Sequence, residues 1–514
     1  MELHDARRLT GPNVIMGQAG AILDVACTAA EQDAFFDAWQ PAVRRMLDAL
    51  GWPGVSLHQR RLQDGISVAF TAPIDVLYAA TAVNEWACAH CLASLAGNAV
   101  PDFAAALAEI RAAADEEANP ALLALLREAR ERGVTLLWDD DEVSLGMGAS
   151  AERWPARQLP HASALDWNRY RDVPIALITG TNGKTTTARF VGQILRGAGM
   201  TPGLTSTDWV AAGDTIIDRG DWSGPGGART VLRHPDVDIG VLEAARGGLL
   251  RRGLGVEKAT AALITNIAED HLGDFGSATI DELLDIKWIV CHAVRESGTL
   301  VLNADDERLV ARAATHGGRI TWFSLDASNA VVRDRVADGD AAYVLDGAEL
   351  CRIDGTTRQQ LCAASDIPIT LSGAARHNTG NALAAAALCD SLGISADDIR
   401  RGLCSMTQDD NPGRCNLFTL AHCRVLVDFA HNPHAMQALF DMAAALPARR
   451  RILAFGQAGD RTDRQIRELA ESAWAIGLDH VVISELADYR RGRAAGEVYG
   501  LIREALLDCG ARDA

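Results

Sequence analysis

The run Ile178-Thr179-Gly180-Thr181-Asn182-Gly183-Lys184-Thr185-Thr186-Thr187 has the residue types and spacing of a phosphate cradle. It sits between a β-rich run and a helix-compatible one. A glycine turn at such a junction aims several backbone N–H groups and the positive end of a helix dipole at one point, where an anion is held. Lys184 is placed to reach the terminal phosphates of a nucleotide, and the Thr185 hydroxyl to ligate magnesium. Gly180, Thr181, Asn182, Gly183 and Thr186 complete the cradle. The usual motif has a further glycine five residues before Gly183; here Ile178 stands there, so the loop is a shortened version starting at Gly180. A plain strand-to-helix turn would not need Lys followed by Thr after two glycines, so nucleotide binding is the expected use.

GTNGKTT resembles the Mur ligase superfamily, which includes the peptidoglycan amino-acid ligases, folylpolyglutamate synthetase and the rear half of cyanophycin synthetase. Further motifs follow in that family's order: VLEAARGG with Glu243, TNIAEDHLGDFG with His271, DIKWIV with Lys287, NADD at 303–306, RHNTGNALAAAAL from Arg376, NPGRCNLF around Arg414, VDFAHNP from Val427 and GDRTD at 459–463. Together they span roughly the last two-thirds of the chain. EAARGGLLRRGLG, DWSGPGGA, the closing RRGRAAGEV and the opening RRLTGPNV are similar to the cyanophycin synthetase branch in particular. That branch carries an ATP-grasp module between its first domain and its Mur-like half. Here the connector at 146–167 runs directly into the phosphate-loop domain.

The resemblance implies an ADP-forming acid–amine ligase using ATP and Mg2+. A carboxylate is a poor acyl donor because its leaving group would be oxide, so ATP first converts it to an acyl phosphate, which an amine then attacks. Phosphoryl transfer to an anionic acid brings like charges together, and Lys184 with metal ions must neutralise them. By resemblance, Glu243 and His271 are the magnesium ligands near the γ-phosphate. The family lysine at the place of Lys287 is usually carbamylated and holds a second magnesium; an unmodified, solvated helix lysine is the alternative reading. Asn378 and Asn381 match the amides that read the adenine edge. Arg414 and Asp428 match a phosphate-binding arginine and a ribose-binding aspartate, and His431 is expected to be structural or near the nucleotide. Ligands from two domains imply closure over ATP in an interdomain cleft.

For the amine site, Arg246, Arg251 and Arg252 could hold an acidic acceptor, and Asp460 and Asp488 a cationic amine such as arginine, though each reads equally as a solvated charge. An aspartate- or peptide-derived carboxylate and an amino acid amine are the first substrates to test. A rival reading is a noncatalytic or regulatory nucleotide-binding partner of a full-length synthetase, and a third is a plain NTPase. Related enzymes leave room for a homo-oligomer.

The elements that must position these residues read as α/β. From Val173, short β-rich runs (VPIALIT, IGVLEAA, AALITNIA, GTLVLNADD) alternate with helix-compatible stretches, which implies a mostly parallel sheet covered on both faces. Residues 1–165 read as a small α+β domain and connector, 166–413 as the ATP-binding domain up to the Asn411-Pro412-Gly413 turn, and 414–514 as a short Rossmann-like domain offering three strands: CRVLVDFAH, RRILAFG and HVVISE.

Composition narrows the class. The 514 residues are too many for one core. A net charge of -19 repels nucleic acid and anionic membrane surfaces, so neither is an expected partner. The opening MELHDARRLTGPNVIM lacks the pattern of a secretory signal, and the 11 cysteines follow no disulfide framework, which fits a reducing cytoplasm. Cys88-Ala-His-Cys91 has a metal-like look, yet with no second pair nearby it reads as helix core.

Overall fold

A computed structural model describes residues 1–270, 272, 276–459 and 461–512. His271 and Asp460 therefore lie outside the described residues.

The centre is an eleven-stranded sheet, counted among the described residues. Strand Ile175–Thr179 lies in its middle, paired in parallel with Ile239–Glu243 on one side and Ala259–Ile264 on the other. Both neighbours and the strand itself are almost wholly buried. The period of two along a strand splits such residues between two cores. Ile175 and Leu177 join one with Ala262 and Ile264; Ala176 and Ile178 join the other with Ala261 and Leu263. Helices Lys184–Gly197, Arg376–Ser391 and Ala396–Ser405 cover the second face. Helix Ile280–His292 contributes Leu284, Ile286, Trp288, Ile289 and Val290 to the first. The parallel run continues through Val294–Asn303, Arg319–Ser324 and Ala341–Asp346. Antiparallel strands complete both ends, Trp209–Ala212 with Thr215–Arg219 at one and Glu349–Asp354 with Thr357–Ala363 at the other.

The first domain has a four-stranded antiparallel sheet (Glu2–Leu9, Gly20–Ala26, Gly65–Thr71, Leu57–Arg61) against helices Ala29–Leu50, Leu77–Leu95 and Phe103–Glu117. Cys88 and Cys91 are buried in the second of these helices, and burial pushes both thiols up to about 12, as expected of core residues. The connector differs from its reading. Residues 152–155 form a strand on a three-stranded sheet with 136–138 and 142–145. Arg233, buried, reaches from the core into that sheet, donating to Ser144 Oγ, the carbonyls of Leu137 and Glu142, and Asp139 Oδ2 at 2.6 Å. The Gly, Ser, Trp and Pro of this stretch hide its periodicity, while its order comes from pairing with the strand 142–145 that Arg233 holds and from Trp154 and Trp167 packed against the cluster around Leu145.

In the third domain the three expected strands are Arg424–Val427, Ile452–Phe455 and His480–Ile483, and a fourth, Asn416–Thr419, precedes them. They form two separate pairs: 416–419 antiparallel with 424–427, and 452–455 parallel with 480–483. Helices Pro433–Ala445, Asp463–Ala475 and Glu497–Asp508 pack in sequence against one another. Gly413 takes φ +75°, the left-handed conformation that lets the chain turn from one domain into the next.

Candidate active site

The phosphate loop leaves the carboxyl end of the central strand and enters helix Lys184–Gly197. Gly180 (φ +142°) and Gly183 (φ +84°) take conformations that side chains resist, and both are tightly walled. A Cβ on Gly180 would lie 1.9 Å from Thr265 Oγ1, and one on Gly183 2.3 Å from Asn381 Oδ1. The loop is tied to its neighbour strand: Thr181 N donates to Asn266 O at 2.8 Å, Asn182 N to Asn266 Oδ1 at 3.0 Å, and Thr265 Oγ1 to Asn182 O at 2.6 Å. No side chain caps the helix that begins at Lys184, so its first N–H groups face the loop's concavity.

Three of the four expected catalytic side chains converge here. Glu243 ends the strand beside the loop, and its Oε2 accepts from Thr185 Oγ1 at 2.9 Å; the Thr207 hydroxyl lies 3.4 Å from the same Oγ1. Glu243 is buried, and its Oε1 has no hydrogen-bond partner among the described residues. Burial pushes its carboxyl up, and Lys184 and the Thr185 hydrogen bond pull it back. Lys287 comes from helix Ile280–His292 and donates to Gly180 O at 2.7 Å. It is 3% exposed, which removes the solvated-lysine reading. Burial first, then Lys184, holds its amine well below the usual lysine range. Lys184 Nζ donates to Thr181 O at 2.9 Å. His271, the fourth, lies outside the described residues, and among those described no cluster of three His, Cys, Asp or Glu side chains forms a metal cage. The donor set still suits a cation: a buried carboxylate with one open oxygen beside a hydroxyl, facing a loop built for anionic oxygens.

These groups line a cleft of about 1520 Å³ between the core and the third domain. Asn378, Asn381, Arg414, Asp428 and His431 line it too. Asn378 donates to Ile369 O at 2.8 Å, and Asn381 Nδ2 donates to Asn378 Oδ1 at 3.3 Å, so the amides form a braced pair behind the phosphate loop. Asn411 Nδ2 donates to Thr186 Oγ1 at 3.4 Å, tying the hinge to that helix. Arg414 lies over the Phe429 ring, with its Nη2 3.6 Å from Asp208 Oδ2. Asp428 accepts from Cys415 N at 2.8 Å and Ala430 N at 2.6 Å, which fixes its carboxylate at the hinge. His431 Nε2 is 3.8 Å from Asp270 Oδ1.

Of the amine-site candidates, Arg246 lines the cleft and donates to Ser277 Oγ at 2.6 Å. Arg251, Arg252 and Asp488 do not line it; Arg252 turns toward the first domain and donates to Arg8 O at 3.2 Å. Arg246 and Arg251 stand five residues apart at the two ends of the helix Arg246–Arg251, which turns them to different sides, and Arg252 follows its end, so the three are not aimed inward together. Sequence reasoning passed over Asp208, Asp270, Arg461 and Asn432. Arg461, 8% exposed, pairs with Asp270 Oδ1 at 2.9 Å across the domain seam. Both stand inside motifs already quoted, and that was the available signal.

Residues 178–389 match the Mur ligase middle domain and 413–507 the Mur ligase glutamate ligase domain. The cyanophycin synthetase of Trichormus variabilis is 37% identical over 336 residues, 65% of this chain and 37% of that protein; the chain thus spans well under half the length of the cyanophycin synthetases it matches. The Escherichia coli UDP-N-acetylmuramoyl-tripeptide–D-alanyl-D-alanine ligase is 29% identical over 318 residues, 60% of this chain and 64% of that one. Among solved structures, E. coli FolC in complex with DHPP and ADP has a TM-score of 0.49 at 20% identity, covering 64% of this chain and 78% of that one.

Proposed function

The chain belongs to the Mur ligase superfamily, and from that premise we propose that it is an ATP-dependent, ADP-forming ligase joining a carboxylate to an amine through an acyl phosphate. The observation that carries the reading is the convergence of Lys184, Glu243 and Lys287 on one uncapped phosphate loop, inside a cleft that the third domain helps to line.

In this reading the phosphates lie against the loop and the N-terminal turn of helix Lys184–Gly197, with Lys184 turning from Thr181 O to the terminal phosphate. Thr185 and Glu243, joined by His271 and by Lys287 as its carbamate, would hold Mg2+, which supplies positive charge where an anionic acid approaches the γ-phosphate. Lys287 is suited to modification. Burial favours the neutral amine, the form that attacks CO2, forms the N–C bond and releases a proton, and the resulting carboxylate adds negative charge beside Glu243 and opposite Lys184. The acid's oxygen then attacks the γ-phosphorus, ADP leaves, and the amine nitrogen displaces phosphate from the acyl carbon. Arg414, Asp428 and His431 bring the third domain over the nucleotide and keep water from the acyl phosphate.

The cyanophycin synthetase likeness favours an aspartate- or peptide-derived acid and an amine such as arginine, with Arg246 among the cationic groups of the cleft that a substrate carboxylate would meet. Incubation with ATP, Mg2+ and a panel of acid–amine pairs should give ADP release that needs both partners. Hydrolysis without them would sink the ligase reading in favour of a plain NTPase. A second reading, a noncatalytic partner of a full-length synthetase, draws on the split pairing of the third domain's strands. It requires no turnover alone and altered turnover of that synthetase when mixed.

A further inference from the structure

We propose that Asn182 and Asn432 form a latch that couples the seating of the third domain to the phosphate loop, which makes Asn432 a positioning residue for the reaction proposed above. The inference rests on that reading for its kinetic consequence and on geometry for its existence.

The main chain of Asn182 is fixed within the core. Its N–H donates to Asn266 Oδ1, and its carbonyl accepts from Thr265 Oγ1 at 2.6 Å and Asn266 Nδ2 at 3.1 Å. The side chain consequently leaves the loop in a set direction, toward the third domain. There it meets Asn432, 250 residues away in sequence and 1% exposed. Asn432 caps the helix Pro433–Ala445, its Oδ1 accepting from Ala435 N at 2.9 Å. That cap settles which end of the amide is oxygen. The NH2 of Asn432 must then face Asn182 Oδ1, at 2.9 Å, and Asn182 Nδ2 donates back to Asn432 Oδ1 at 3.3 Å. The second N–H of Asn182 points at His434 Nδ1, 3.0 Å away. Burial lowers the His434 pKa, which favours the neutral ring whose Nδ1 accepts.

A reciprocal amide pair is geometrically demanding, since both bonds fail beyond ordinary hydrogen-bond distance and angle. A small shift of the loop is therefore felt at the first turn of a helix in another domain. That helix follows directly on the segment 428–431, which carries Asp428 and His431, both cleft-lining. Anion binding sets the loop, the loop aims Asn182, and Asn182 seats the domain that shields the acyl phosphate. Arg461 with Asp270 forms a second tie across the same seam, made to the segment after strand Ala259–Ile264 and not to residues 180–183.

The test is a double-mutant cycle in the full chain with Asn182→Ala, Asn432→Asp and the pair combined. Asp keeps the cap oxygen of Asn432 and removes the NH2, so the helix is spared. Each single change should lower kcat for amine-dependent ADP release about tenfold, and the double should be no slower than the worse single. Hydrogen exchange over residues 428–437 supplies a readout independent of turnover: a non-hydrolysable ATP analogue with Mg2+ should protect this segment in the unmodified protein and not in either single variant. Multiplicative losses in the double, or protection retained in both singles, would overturn the latch. If the unmodified chain turns over no acid–amine pair, the ligase reading falls while the exchange measurement still decides the latch.

Discussion

Thr185 Oγ1 donates to Glu243 Oε2 at 2.9 Å, while Oε1 of the same buried carboxylate has no hydrogen-bond partner among the described residues. A carboxylate is costly to bury half-satisfied, and the open oxygen is accounted for if a cation completes it.

Glu243→Gln preserves the acceptor for Thr185 and removes the charge. ADP release should fall about 100-fold, and the remaining activity should need more Mg2+. Burial raises the pKa of Glu243, so its ionised form opposes folding at neutral pH. The metal-free variant should accordingly melt no lower than the parent; a clear loss of stability would show that Glu243 serves the fold instead.

For Lys287 the prediction concerns CO2. Activity in degassed, CO2-free buffer should drop and return on addition of bicarbonate, with a carbamate signal in 13C spectra after 13C-bicarbonate. Lys287→Met should be inactive and indifferent to bicarbonate. An active enzyme that ignores CO2 would mean that the amine acts unmodified.

Gly183→Ala tests the loop. The left-handed φ of +84° disfavours any side chain, and the new methyl would meet Asn381 Oδ1 at 2.3 Å, on an amide already braced by Asn378. Strain of about 1–3 kcal/mol should appear as roughly 5- to 150-fold weaker ATP binding in equilibrium titrations. Gly197→Ala, in the last turn of the same helix with open space around it, should leave binding unchanged and raise stability by up to about 1 kcal/mol.

His377, half-buried beside Cys415, is held below the ordinary histidine range, chiefly by desolvation; Asp428 opposes this and His434 adds to it. Between its folded pKa and 6.5 the unfolded chain binds a proton that the folded chain refuses, so stability falls as pH drops through 6.5. Thermal melts from pH 7.5 to 5.5 should fall more steeply for the parent than for His377→Gln. Parallel slopes would contradict the assignment.

The sequence marked the residues proposed for the site more fully than the elements that hold them. The parallel core strands were legible because burial on both faces writes itself as unbroken apolar runs such as IALIT and ATAALI. The edge strands Thr215–Arg219 and Thr357–Ala363 were not, because their largely exposed, polar residues carry no such mark. Strand 152–155 was hidden because it pairs with 142–145, a strand that Arg233 holds from 89 to 91 positions away. Lys184, Thr185 and Glu243 were found from local motifs, whereas Arg461 with Asp270 and Asn182 with Asn432 are pairings that only the meeting of two domains creates. The same limit applied to the arginines of 246–252: a motif names them, and helix geometry decides that Arg246 alone of Arg246, Arg251 and Arg252 lines the cleft.

The acyl phosphate is the centre of the account, and oxygen transfer tests it most directly. With an acid–amine pair that supports turnover, the acid's carboxylate is labelled with 18O and the released phosphate is analysed by mass spectrometry. Attack of the acid on the γ-phosphorus predicts one 18O in each phosphate formed, with ADP as the other product. Unlabelled phosphate, or AMP with pyrophosphate, would contradict it.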